Sequence, residues 1–280
     1  MNAVPFAFCS AVAATLETPS SIEKGFSSGI WRTAAVDEGK KRQNCALYLN
    51  YTDEDGWWYA FQQRSVWITF RELKKLDRRD IRIMGVSLYD SPHPNKSSFE
   101  EILEIINYSL PCVNMASLSV DDTTKWPQDD LLKLLSIYEH SAFAQITSYD
   151  FPVSNFLLPH VPSELLKDLD VHGATCSPAL KEAVRDAALN KEWQNLNIDV
   201  DNAEFDLDFL EAMFQKPVTQ AQEYHFNFSF EKSALNDFKR DWQTSTQMPL
   251  EWKRPDGVKI GMTVRNITHS VCSIKFWMNL

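Results

Sequence analysis

Between residues 96 and 242 the chain alternates strand-like and helix-like patterns at short intervals, and this limits its fold more than any other feature. The strand centres Leu118, Ile146, Leu169, Leu196 (or Ile198) and Phe226 lie 23 to 30 residues apart. A strand and a helix in so few residues cannot bury the apolar face of either alone. Units of this length must stack parallel strands side by side with their helices outside, each sealed by its neighbours. An ordinary open α/β sheet shows the same alternation.

The residues inside each unit support the stack. Ser98 opens SFEEILEIINYSL with a capping box to Glu101, and Phe99, Ile102, Leu103, Ile106 and Leu110 share one helical face. Ser177 is the expected N-cap of a helix with Pro178 in its first turn, and Asp206 caps another. KSALNDFKRDW closes the series as a helix with Leu235, Phe238 and Trp242 on one face. Leu166-x-x-Leu169-x-Val171, Trp193-x-x-Leu196-x-Ile198 and Met115-x-x-Leu118-x-Val120 fit the L-x-x-L-x-L frame of leucine-rich units, and Phe143-x-x-Ile146 fits its first half. The Asn that regular repeats carry is missing, so the units are irregular. After them, LEWKRPDGVKIGMTV has a Pro-Asp-Gly turn between alternating runs, a β-hairpin signal, and SVCSIKFWM adds a last strand. These strands serve as a cap for the stack.

The expected architecture is therefore α/β. Residues 1–44 form a short helical head, 45–95 a β-rich connector, and 96–280 an irregular leucine-rich-repeat-like βα stack with a C-terminal hairpin cap. The connector contains two aromatic runs, CALYLNY and GWWYAFQQ, joined by the acidic, Gly-closed turn TDEDG.

Composition narrows the function. The 280 residues carry 44% hydrophobic and 24% charged residues, which is globular. A net charge of −10 without a basic patch argues against a nucleic-acid partner. No run is long and apolar enough to cross a bilayer. Cys9, Cys45, Cys112, Cys176 and Cys272 lie far apart, the pattern of buried free thiols in a reducing compartment. Met1–Ala14 lacks the basic opening of a signal peptide, and sequons at Asn50, Asn95, Asn107, Asn227 and Asn266 only mildly exceed chance. Cytosol or nucleus is the expected location.

Catalytic chemistry has little footing. The six His form no metal-binding pair, and the eight Gly form no phosphate-cradling loop. Acid pairs at Asp53/Asp55, Asp129/Asp130 and Asp206/Asp208 fit a turn and two helix starts better than a metal. Cys176 near His172 reads as a buried structural thiol. No cofactor, metal site or enzyme activity is expected.

Binding is better supported. With Leu169 and Val171 facing inward, alternation turns Asp168, Asp170 and His172 outward. The neighbouring strands contribute Ser117 and Ser119, then Asn197 and Asp199, then His225 and Asn227. Together they make a polar, mildly acidic ladder suited to a basic protein client, or else a solvated sheet face.

The head carries a further pattern. Val4, Phe8, Val12 and Leu16 recur every four residues with Pro5 in the first turn, and Ile22, Ile30 and Trp31 follow. This resembles an F-box, with Val4-Pro5 where that motif has Leu-Pro, the later apolar residues and Trp31 at its later positions, and a shortened middle. The whole chain looks like the divergent nematode F-box proteins. The segments that carry the resemblance are the Val-Pro-Phe opening, the Trp31-Arg-Thr-Ala-Ala run and the late Trp252-Lys-Arg-x-Asp-Gly-Val hairpin. The resemblance implies a substrate receptor of a cullin–RING ubiquitin ligase. Val4, Pro5, Phe8, Val12, Leu16, Ile22, Ile30 and Trp31 would dock on the S-phase-kinase-associated adaptor that joins the cullin scaffold. The body would hold a client. The competing expectation is a scaffold repeat protein whose head merely caps the stack.

Overall fold

The computed structural model describes residues 6–15, 29–89, 95–121, 123–149, 154–201, 205–216, 224–231, 233, 250–253, 257–266 and 271–279. The closing helix expected around Leu235, Phe238 and Trp242 lies outside the described residues. Among the described residues two helices open the chain, α1 (Phe6–Thr15) and α2 (Gly29–Lys41). β1 (Gln43–Thr52) and β2 (Gly56–Gln63) form a hairpin, and Gly56 at φ 79° closes it in a conformation that other residues resist. β3 (Val66–Ile68), α3 (Phe70–Leu73), β4 (Ile81–Leu88) and β5 (Asn95–Ser97) follow.

The repeating section then runs α4 (Phe99–Ser109), β6 (Val113–Val120), α5 (Gln128–Tyr138), β7 (Phe143–Tyr149), α6 (Ser154–Leu157), β8 (Asp168–Thr175), α7 (Pro178–Asn190), β9 (Asn195–Asp201), α8 (Leu207–Gln215) and β10 (Tyr224–Glu231). β11 (Leu250–Lys253), β12 (Lys259–Asn266) and β13 (Val271–Asn279) end it.

Among the described residues the strands form one sheet, ordered β11-β12-β13-β10-β9-β8-β7-β6-β4-β1-β2-β3, with β5 also on β2. β1, β4, β6, β7, β8, β9 and β10 are parallel and lie in chain order. Parallel crossovers are right-handed, so strands advancing in one direction place their crossover helices on one face of the sheet and, among the described residues, leave the other uncovered. The fold is α/β with a helical head, a one-way βα stack and a C-terminal antiparallel hairpin. That hairpin, β11–β12, is joined to β10 through β13.

The alternation in each strand has a clear physical result. Leu47, Val86, Leu118, Ile146, Leu169, Leu196 and Phe226 fall on a single rung across seven parallel strands. All are buried in one core with Ile102, Leu131, Val184 and Phe209 from the helices. Each such side chain contributes roughly 1.5–3 kcal/mol by leaving water. Residues 45–95, expected as a connector, place β1–β5 in the same sheet, and the same core runs across the boundary at 95/96.

Three local details differ from expectation. Met115 sits at φ 54°, beside the β4–β6 register shift, and is only half-buried, so it does not fill the first position of its frame as Leu166 and Trp193 do. Ser98 accepts the Glu101 amide, but the Glu101 carboxylate accepts from the Ser97 hydroxyl at 2.6 Å instead of completing the box. The reciprocal capping box belongs to Thr69 and Glu72 at α3.

Candidate functional site

The uncovered face is built by the same alternation that builds the core. One rung aligns Ser117, Gln145, Asp168, Asn195 and His225, and the next polar rung aligns Ser119, Thr147, Asp170, Asn197 and Asn227. A third aligns Tyr149, His172 and Asp199. Ser117, Ser119, Asp168, Asp170, His172 and Asn197 are half-buried and Asp199 is exposed, whereas Leu118, Ile146, Leu169 and Leu196 between them are buried. His225 and Asn227 hold their register positions in the backbone, and their side chains lie outside the described residues. The predicted ladder residues on β6, β8 and β9 therefore share one face.

Its densest part is a hydrogen-bonded cluster. Asp170 Oδ1 accepts the Asn197 amide at 2.6 Å and lies 2.7 Å from His172 Nε2. The other imidazole nitrogen, Nδ1, lies 3.7 Å from Asp199 Oδ2. The Asp170, His172 and Asp199 side chains are 24%, 29% and 47% exposed. Tyr149 stacks flat on His172, with centroids 4.8 Å apart and planes 4° from parallel. Burial, with the nearby Asp170 and Asp121 charges, pushes the Tyr149 phenol above its ordinary pKa. Burial likewise raises the Asp168 carboxyl. Among the described outward side chains of β6–β9, with Asp121 directly after β6, the carboxylates are Asp121, Asp168, Asp170 and Asp199, and neither Lys nor Arg stands there.

Strand β7 was missing from the predicted ladder. Gln145, Thr147 and Tyr149 lie between the β6 and β8 positions, and the alternation around Ile146 that predicted the other strands locates them equally well. Tyr149 matters most, because it brings an aromatic surface to an acidic face.

The second surface is the head. Among the described side chains of α1 the buried ones are Cys9 and Ala13, and Ala13 packs with Ala35 and Trp31 of α2. Small residues at this contact let the two helices come close. Of the expected stripe, Phe8 is 56% exposed and Val12 half-buried. Phe6 and Ile30 are also exposed, and Phe8 meets half-buried Trp31 edge to face at 6.2 Å. Val4, Pro5, Leu16 and Ile22 lie outside the described residues. The Arg42 guanidinium, at the junction with β1, donates to the Ala13 carbonyl at 3.0 Å and ties α1 to the body.

The acid pairs do local work. Asp55 pairs with Lys96, and Asp206 accepts the Phe209 amide at 2.9 Å and pairs with Arg185. Asp129 and Asp130 occupy the first turn of α5, where no side chain caps the helix. Cys176 is buried, with burial raising its thiol pKa, and its Sγ contacts the Ser177 carbonyl. His172 is held instead by Asp170 and Tyr149. Among the described residues no group of three or more His, Cys, Asp and Glu is placed to hold a metal ion, and no helix is long and apolar enough to cross a membrane.

The chain matches no protein-family model, no curated protein and no solved structure.

Proposed function

We propose that this chain is a non-catalytic substrate receptor of a cullin–RING ubiquitin ligase. Its head docks on the S-phase-kinase-associated adaptor that carries the cullin, and its uncovered sheet face holds a protein client. The observation that carries this reading is the 56% exposure of Phe8 on a helix whose described buried residues are the small Cys9 and Ala13. A large aromatic left more than half in water gains up to about 1.5–3 kcal/mol when a partner covers it, and Phe6 of α1 and Ile30 of α2 are exposed as well. The acidic face lies elsewhere, on the strands, so adaptor and client occupy different surfaces. Cys9, Cys45, Cys112 and Cys176 are free and buried, which suits a reducing cytosol or nucleus.

A second reading rests on the Arg42–Ala13 bond: a scaffold protein whose head is only a cap fixed to its sheet. Co-expression of the full chain with the adaptor separates the two. A receptor co-purifies with it, and Phe8→Asp with Ile30→Asp abolishes this while leaving thermal stability nearly unchanged, because both residues are exposed. Adaptor retained by the double variant, or never bound by the native chain, favours the scaffold.

A further inference from the structure

The geometry points to a strip across the client face that recognises two arginine side chains of an extended basic peptide, four residues apart. This rests on the receptor reading only in taking the uncovered face as a client surface. The strip runs along the ends of β4, β6, β7, β8 and β9. Tyr149, His172 and Asp199 are in register, and Asp121 follows Val120, the partner of Ser148, which places it beside Tyr149. Tyr89 follows Leu88, the partner of Val120, and extends the strip past Asp121. The parallel Tyr149–His172 ring pair thus stands between a carboxylate on the strand at one side, Asp121, and one on the strand at the other, Asp199.

A guanidinium is the group that satisfies both elements. It is planar, stacks on aromatic rings, and pairs with a carboxylate through its fork of N–H donors, whereas an ammonium is a hydrated point charge. Spacing sets the rest. Neighbouring strands are about 4.8 Å apart, so Asp121 on β6 and Asp199 on β9 are separated by roughly 14 Å. An extended peptide advances about 3.3 Å per residue, so side chains four apart on one face span about 13 Å. Charge complementarity selects this occupant, since the described outward side chains of β6–β9 include carboxylates and no Lys or Arg.

The test uses the full chain and a fluorescein-labelled peptide, GRGSGRG, read by fluorescence anisotropy. Binding is expected at low ionic strength, weakening in high salt. It should be lost when both arginines are citrulline, and weakened about threefold or more with lysines or with the two arginines adjacent. Tyr149→Ala and Asp121→Asn should each weaken binding about threefold to tenfold. Asp129→Asn, an exposed carboxylate at the start of α5, should change nothing. Equal binding of the citrulline peptide overturns the inference. So does indifference to both strip variants, an equal loss with Asp129→Asn, or self-association of the chain that Tyr149→Ala abolishes. Phe8→Asp should keep the peptide. No peptide binding by a chain that still holds the adaptor removes this strip and spares the receptor reading, and the reverse pattern removes the receptor reading alone.

Discussion

The ammonium of Lys216 donates to the backbone carbonyl of Lys191 at 2.5 Å, and the ammonium of Lys191 donates in turn to the carbonyl of Val161 at 3.1 Å. Lys216 also donates to Ala188, in the last turn of α7. Each lysine follows a repeat helix and satisfies carbonyls that the previous unit leaves open at its end. Both are buried, and the ammonium of Lys191 lies 3.8 Å from the centre of the Trp193 ring. The stack is thus held by a polar staple from unit to unit as well as by its apolar rung.

Removing one staple should be costly and should leave a pH signature. Burial lowers Lys191 and Lys216 to about 8, against an ordinary 10.5. Between these values the unfolded chain holds protons that the folded chain has released, so each lysine makes stability rise with pH across that window and adds no change below it. Lys216→Met should cost on the order of 1–3 kcal/mol at pH 7 through the unsatisfied carbonyls. It should also reduce the stability gained between pH 8 and 10. Urea titrations of native chain and variant at several pH values check both effects.

Asp168 should behave in the opposite sense to a stabilising carboxylate. Its folded pKa is raised by burial, so its charge opposes folding at neutral pH, and that cost fades as pH falls below the ordinary value. Asp168→Asn should stabilise the chain by about 0.5 kcal/mol at pH 7 and by nothing at pH 3. Calorimetric melts at the two pH values measure it.

The central rung should be the most sensitive part of the core. Leu196 is fully buried and lies between Leu169 and Phe226 on adjacent strands. Leu196→Ala should cost about 2–5 kcal/mol by leaving a cavity that parallel neighbours on both sides cannot fill. Equilibrium urea unfolding measures the loss.

Asp206 joins two repeats, capping α8 and pairing with Arg185 of α7. Burial works against its charge, but the Arg185 guanidinium and the Phe209 amide outweigh it and lower its pKa. A lowered carboxyl gives stability present above its unfolded value and lost as pH falls through the folded one. Asp206→Ala should cost about 1 kcal/mol at pH 7, most of it from the cap, and progressively less as pH falls below the ordinary carboxylate range. Thermal melts across that range check the sign.

Much of this fold was legible because burial imposes a two-residue period on each strand. The predicted strand centres Leu118, Ile146, Leu169, Leu196 and Phe226 became one rung. The caps at Ser177 and Asp206 were legible because a hydroxyl or carboxylate before a helix has few other uses. The Tyr149–His172 stack was not. Nothing local says which side chain of one strand will stand beside which of the next, since register shifts such as that at Ala116/Ser117 decide it. The four-residue stripe of α1 likewise did not reveal that Cys9 and Ala13 would be buried.

The chain is proposed to carry two independent docking surfaces, and a ternary binding measurement tests this most directly. Full chain saturated with the adaptor would be titrated with the GRGSGRG peptide, in native form and as Phe8→Asp and Tyr149→Ala variants. Unchanged peptide affinity with adaptor bound is expected, with Phe8→Asp losing only adaptor and Tyr149→Ala losing only peptide. Displacement of adaptor by peptide, or one substitution removing both partners from a folded chain, would contradict it.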